Sequence, residues 1–163
     1  VKKDCTNFQR TGSLTETKFM TDSDIFLLDS NILIYNYDTA DPRKHNIAKG
    51  LIDKCWKNNV KFAISSQNLS EFFSVTTGKK ILSKQYAITI ISDIINFHNW
   101  IKIDFNHKTV LDAAIMSEEH NMSYWDSLLA VTMKQNSIFN IYTENAQDFK
   151  IPWINTVNPF AKK

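Results

Sequence analysis

Glycine is scarce in this chain. Gly12, Gly50 and Gly78 are its only three among 163 residues, and no two lie close enough for a dinucleotide fingerprint or a phosphate-cradling loop, both of which need backbone amides drawn up to phosphate. Nicotinamide and nucleotide-triphosphate enzymes of those types are largely set aside. Cysteine is as sparse: Cys5 and Cys55 stand far apart, with no Cys or His at metal-finger spacing beside them. That fits free thiols in a reducing interior better than a disulfide scaffold. No apolar run approaches the roughly 20 residues that span a bilayer, and the first stretch lacks the apolar block of a secretory signal. A soluble, cytoplasmic protein with no membrane segment is expected. An excess of one charge is missing too, for the net charge is only +2. That is too little to announce a nucleic-acid binder, although acids gathered into one site leave the remaining surface more basic than the total suggests.

What is present is material for one core. A chain of this length with 43% hydrophobic residues builds one domain comfortably and two with difficulty. Its organising stretch is IFLLDSNILIY, from Ile25 to Tyr35. Four strand-preferring apolar residues run into Asp29, Ser30 and Asn31, and the chain then turns into an apolar run with helical spacing. This reads as a buried strand, a tight turn and a helix start. In a parallel sheet, ligands gather at the carboxyl ends of the strands, so Asp29 projects toward a crevice. Asp and Ser are also common N-caps, which offers Asp29 a purely structural role.

Residues 1 to 20 carry no helical or strand period and read as a mobile tail, with Met20 a possible natural start; residues 21 to 163 form the domain. Arg43 to Asn58 is an amphipathic helix with Ile47, Ala48, Leu51, Ile52, Cys55 and Trp56 on its apolar stripe. VKFAIS (Val60 to Ser65) is a second strand, and Gln67 to Thr76 a helix bearing Leu69, Phe72 and Phe73. Beyond Gly78 and the basic patch Lys79, Lys80 and Lys84, a helix presents Ala87, Ile90, Ile91, Ile94 and Ile95 on one face. WIKIDF (Trp100 to Phe105) alternates as a strand with one wet face does, and so belongs at the sheet's edge. Val110, Leu111, Ala114 and Ile115 mark another helix; Trp125, Leu128, Leu129, Thr132 and Met133 mark the next. SIFNIYT (Ser137 to Thr143) is a strand, and Ile154 to Val157 a short last one. Strands alternating with helices predict an α/β fold, a three-layer α/β/α sandwich around a parallel sheet.

Asp29, Glu71 and Asp126 each sit near a predicted helix start. None has a Lys or Arg within four residues on its own helix, which weakens the surface ion-pair explanation. Capping survives better: Ser123 to Asp126 has capping-box spacing, and Asn68 to Glu71 comes near it. The functional reading rests on convergence, because helix N-termini after successive parallel strands open onto one edge. Carboxylates gathered there stay ionised only beside a cation, and hard oxygen donors with room for water and phosphate describe a Mg²⁺ or Mn²⁺ site. Such a site supports metal-assisted hydrolysis of a phosphodiester.

The succession LLDSNILIY, NLSEFF, YWDSLLA, IYTENAQDF and VNPF resembles the PIN-domain ribonucleases, and within them the toxins of VapC type, over about residues 24 to 160. The resemblance implies that Asp29, Glu71 and Asp126 are metal-binding acids, with Asn31 the polar neighbour that orients the first. It implies a sheet of order 3-2-1-4-5, a homodimer, an RNA substrate, and silencing by a cognate antitoxin. The family's fourth acid lies two residues after a Thr or Ser; here Thr143 is followed by Glu144 and then Asn145, with Asp148 three residues further. Asn145 ligates or holds water without charge, so a second metal is held weakly. Lys79, Lys80 and Lys84 either hold RNA phosphates by charge or form a solvated face. The many Phe and Trp residues read as core rather than interface.

Three other readings compete. A metal-free nuclease needs paired histidines, but His45, His98, His107 and His120 lie on polar helix sides or near helix ends. A phospho-acceptor domain also places an Asp after its first strand, yet Asn31 stands where its second acid belongs. A catalytically weak or inactive PIN-fold module would hold RNA or a protein without cutting.

Overall fold

In the computed structural model, residues 25–149 and 151–161 are described, so the tail expected over residues 1 to 20 lies outside them. Five strands, β1 (Phe26–Leu28), β2 (Phe62–Ser65), β3 (Trp100–Ile103), β4 (Asn140–Tyr142) and β5 (Asn155–Val157), form one sheet of order β3-β2-β1-β4-β5. Every pairing is parallel, with Leu27 opposite Ala63 on one side and Ile141 on the other. Between them run α1 (Ser30–Tyr35), α2 (Pro42–Trp56), α3 (Ser66–Gly78), α4 (Lys84–Asn96), α5 (His107–His120) and α6 (Tyr124–Gln135), and one 3₁₀ turn, Ala146–Asp148. The three-layer α/β/α sheet with β3 at its edge is the expected one.

Successive strand residues face opposite ways, so neighbours in sequence enter different cores. Leu28, Ile64 and Trp100 join Ile32, Ile52, Phe72 and Ile94 under α1 to α4, while Leu27, Ala63, Ile103 and Ile141 join Leu129, Ala130 and Met133 under α6. Strand order reverses at β1, whose neighbours are β2 and β4. That reversal opens a crevice at the strands' carboxyl ends, flanked by the segments that follow β1 and β4.

Helix starts are fixed locally. Asp41 accepts N–H bonds from Arg43 and Lys44 with Pro42 leading α2, and Ser83 caps α4. Ser65 with Asn68, and Asn106 with Thr109, form reciprocal boxes at α3 and α5. Each such cap satisfies amides that the helix itself leaves free, worth about 1 kcal/mol apiece.

The helices stand where periodicity puts them, but several apolar faces do not. On α5 the buried residues are Thr109 and Ala113, and Ala113 packs with Leu128 and Val131 of α6. Small side chains let those two helices approach closely, which turns Val110, Leu111 and Ile115 outward, at 39%, 60% and 49% exposure. Ile95 is likewise exposed rather than buried with Ile90 and Ile94, and Phe105 and Trp125 lie at the surface. No helix among the described residues is long and apolar enough to cross a membrane.

Candidate functional site

Asp29 leaves the sheet directly after Leu28. Its N–H extends the ladder by donating to the Tyr142 carbonyl at 3.0 Å, and its backbone stays extended as α1 begins. The carboxylate is divided between two tasks. Oδ1 accepts the Ser30 N–H at 2.7 Å, the expected cap, while Oδ2 accepts the Thr143 hydroxyl at 2.7 Å and the Asn31 amide at 2.9 Å. Burial raises the Asp29 pKa, the hydrogen bonds from Thr143 and Ser30 oppose that rise, and the charge of Glu71 adds to it. All these hydrogen-bond donors are neutral, so the charge is solvated by dipoles and left without a counterion.

Glu71 does not cap a helix. The N-cap of α3 is Ser65, boxed with Asn68, which leaves Glu71 in the second turn with its carboxylate on Ser30, the residue after Asp29. Its Oε2 accepts the Ser30 hydroxyl at 2.5 Å and its Oε1 accepts the Gln67 amide at 3.0 Å. Ser30 therefore bridges two acids, since its oxygen also lies 3.3 Å from Asp29 Oδ1. One hydroxyl carries one proton, so it serves only one carboxylate at a time. Gln67, one helical turn before Glu71, also donates to the Trp125 carbonyl at 3.1 Å and thereby ties α3 to the start of α6.

Asp126 occupies the first turn of α6. Ser123 caps that helix by accepting the Asp126 N–H at 3.1 Å, and its hydroxyl returns a 2.5 Å bond to the Asp126 carboxylate. Burial raises the Asp126 pKa, Ser123 lowers it, and repulsion from Asp148 and Glu71 raises it further. The fourth acid of the group is thus Asp148, on the 3₁₀ turn after β4. Asn145 is exposed, with its N–H on the Thr143 hydroxyl oxygen at 3.0 Å.

Asp29, Glu71, Asp126 and Asp148 form a file of acids, each repelling the next. Sequence reasoning expected one shared pocket. The structure gives successive neighbours, and no three acids among the described residues stand close enough to hold a single ion together. The two ion pairs among the described residues, Lys44 with Glu144 and Lys49 with Asp53, both leave this file out. Hard oxygen donors, mutual repulsion and the lack of a protein cation fit a divalent metal chemically. The Asn31 carbonyl oxygen, buried beside Asp29 with no hydrogen-bond partner, is one more oxygen of the same kind.

Glu144 faces elsewhere. It receives Lys44 at 2.5 Å and the Tyr35 hydroxyl at 2.6 Å; partial burial pushes its pKa up, and these two partners outweigh that and hold it below the usual carboxylate range. Lys79, Lys80 and Lys84 are exposed where α3 ends and α4 begins. His45 contacts the Tyr35 carbonyl at 3.1 Å. Sequence reasoning passed over Ser30 and Gln67; the first is adjacent to Asp29 and the second lies at i−4 from Glu71, which were the available signals.

No family model matches the chain, and no curated protein matches it in sequence. Solved structures do match in fold. VapC20 of Mycobacterium tuberculosis, described as a sarcin-ricin loop cleaving toxin, aligns at TM-score 0.57 and 16% identity over 74% of this chain and 91% of that one. A toxin-antitoxin complex from Klebsiella pneumoniae aligns at 0.57 and 19%, over 82% and 97%. VapBC2 from Rickettsia felis, solved on a DNA fragment from its promoter, aligns at 0.57 and 21%, over 82% and 98%. The chain has the PIN-like α/β/α fold of these toxins.

Proposed function

We propose that this protein is a metal-dependent endoribonuclease and the toxin of a toxin-antitoxin pair. The observation that carries the reading is the file of four acids at the sheet's switch point with no cation of the protein's own among the described residues. In it, Asp29, Glu71 and Asp126 would hold Mg²⁺ or Mn²⁺, the ion drawing together side chains that stand apart without it, with Asp148 in electrostatic reach of Asp126 and Asn145 next to Thr143. When bound, the ion supplies the positive charge that activates a water and steadies a phosphodiester during displacement.

The chain's own groups do the positioning. Thr143 and Asn31 aim one oxygen of Asp29, and the Ser30 N–H takes the other. Ser30 and Gln67 hold the two oxygens of Glu71. Lys79, Lys80 and Lys84, exposed and outside any ion pair among the described residues, attract the RNA backbone. Glu144 braces the loop after β4 against α1 and α2.

The toxin role is supported by fold neighbours that are toxins or toxin-antitoxin complexes. With it come a cytoplasmic location, an antitoxin that covers the acids, and a homodimer formed through the exposed Val110, Leu111 and Ile115 of α5. Leu111→Asp is expected to leave a monomer, read by light scattering.

Purified protein with Mn²⁺ is expected to cut single-stranded RNA, leaving 5′-phosphate and 3′-hydroxyl ends, and to stop in EDTA. Cyclic 2′,3′-phosphate ends point to a histidine mechanism and sink the metal assignment. RNA left intact by both the wild type and Asp29→Ala replaces the nuclease with a binding module.

A further inference from the structure

Beside the acids lies a groove of about 550 Å³, lined by Gln67, Ser70, Glu71, Ser74, Phe105 and Trp125. Its two walls differ. The first is one face of α3, since positions 67, 70, 71 and 74 fall at i, i+3, i+4 and i+7. The second is aromatic: Trp125, 61% exposed and one residue before Asp126, and Phe105, 37% exposed, on the loop that leaves β3. Isolated exposed apolar residues are ordinary, but here two rings line one groove next to carboxylates.

Both rings are anchored. The Gln67 amide binds the Trp125 carbonyl, and Tyr124 meets the Trp125 ring edge-on with centroids 5.3 Å apart. The Ser66 hydroxyl binds Asp104, which fixes the loop just before Phe105. Gln67 is also buried with its side-chain oxygen unpartnered, because its nitrogen serves both Glu71 and Trp125.

We propose that this groove is a nucleobase subsite, in which an unpaired base of the RNA strand stacks on Trp125 and Phe105 while its phosphate lies at the acids. The proposal rests on the nuclease reading and adds the place where a base turned out of its stack is held. Three features select a base over other occupants. Glu71 is the one formal charge in the lining, so the groove admits the neutral part of a nucleotide and repels its phosphate. Ser70 and Ser74, both exposed, put hydroxyls in the lining, which a base edge can hydrogen-bond and an alkyl side chain of a protein cannot. Because Glu71 lines the groove and belongs to the acid file, whatever is cut at the acids passes this opening.

Fluorescence anisotropy of a labelled single-stranded oligoribonucleotide in EDTA, where no cutting occurs, tests the subsite. Trp125→Ala and Phe105→Ala are each expected to weaken binding about tenfold, the scale of one lost stacking contact, with Trp125→Phe close to wild type. An abasic nucleotide at one position should weaken the wild type and leave Trp125→Ala no weaker than it already is. Circular dichroism confirms that the variants fold, as the exposure of both rings predicts.

Wild-type affinity in both alanine variants overturns the subsite and leaves the nuclease reading standing. Alanine variants that bind RNA normally but fail to bind an antitoxin give the groove to the protein partner, which also overturns it. Weakened binding together with a wild type that never cuts RNA in Mn²⁺ supports the subsite and removes the nuclease. A wild type that neither binds nor cuts RNA removes both.

Discussion

β1 and β4 are hydrogen-bonded neighbours, and each is followed by an acid at the same edge of the sheet: Asp29 directly after Leu28, Glu144 two residues after Tyr142. Their surroundings are opposite. Glu144 meets an ammonium and a phenol, and its pKa falls below the usual range despite partial burial. Asp29 meets a hydroxyl, an amide and a backbone N–H, with Glu71 behind them, and its pKa rises, burial being the main cause. The chain therefore gives one carboxylate a countercharge and the other only neutral donors. An acid already satisfied within the fold holds loops together, whereas an acid kept short of charge compensation is available to a ligand.

The sharpest way to break this comparison is to neutralise each acid in turn. Asp29→Asn is expected to lower RNA cleavage by more than about a hundredfold, as loss of a metal-holding oxygen does, while Glu144→Gln stays within a few-fold. Equal losses in single-turnover assays would erase the distinction. The next largest effect belongs to Thr143→Val, which removes the hydroxyl on Asp29 Oδ2. A fall of about tenfold to a hundredfold is expected, recovered in part by raising Mn²⁺; a loss that Mn²⁺ does not touch would place Thr143 outside the metal's support.

Thermal melts sharpen the contrast through pH. The Asp29 and Asp126 carboxyls have raised pKa values in the fold, so the native state binds their protons more tightly than the unfolded chain does. Their contribution to stability is complete below the ordinary carboxylate value of 3.8 and is lost as pH rises through the raised value. Without metal, Asp126→Asn should therefore melt higher than wild type at pH 7 by about 1–3 °C and equal it in acid. Mn²⁺ should raise the wild-type melting temperature more at pH 7 than at pH 5, and a shift independent of pH argues against binding at these acids. Glu144 runs the other way, its contribution vanishing as pH falls through its lowered value. The smallest effect is that of Tyr35→Phe, which removes the hydroxyl on Glu144 at a cost of about 1 kcal/mol in denaturant melts, with cleavage unchanged.

Much of this architecture was legible from patterning. IFLLDSNILIY placed a strand, an acid and a helix start where β1, Asp29 and α1 stand, and the one wet face of WIKIDF placed β3 at the edge. Faces were less legible. The apolar spacing of Val110, Leu111 and Ile115 marked α5 correctly, but α5 buries Thr109 and Ala113 because small residues fit against α6. Asn68 and Glu71 come near capping-box spacing, but Ser65 caps α3 with Asn68, and Glu71 is left to bond Ser30. Asp148, three residues past the expected position at Asn145, lies on the 3₁₀ turn and within electrostatic reach of Asp126.

Alternating polarity and cap residues are local properties, so the amino-acid order by itself determined the strands, the helices and their parallel arrangement. Which carboxylate meets a lysine and which meets only neutral donors depends on side chains more than a hundred positions apart, as Tyr35 from Glu144 and Asp29 from Thr143. Only the packed fold decided that, because charge compensation is a matter of distance in space and the chain's order carries no record of it.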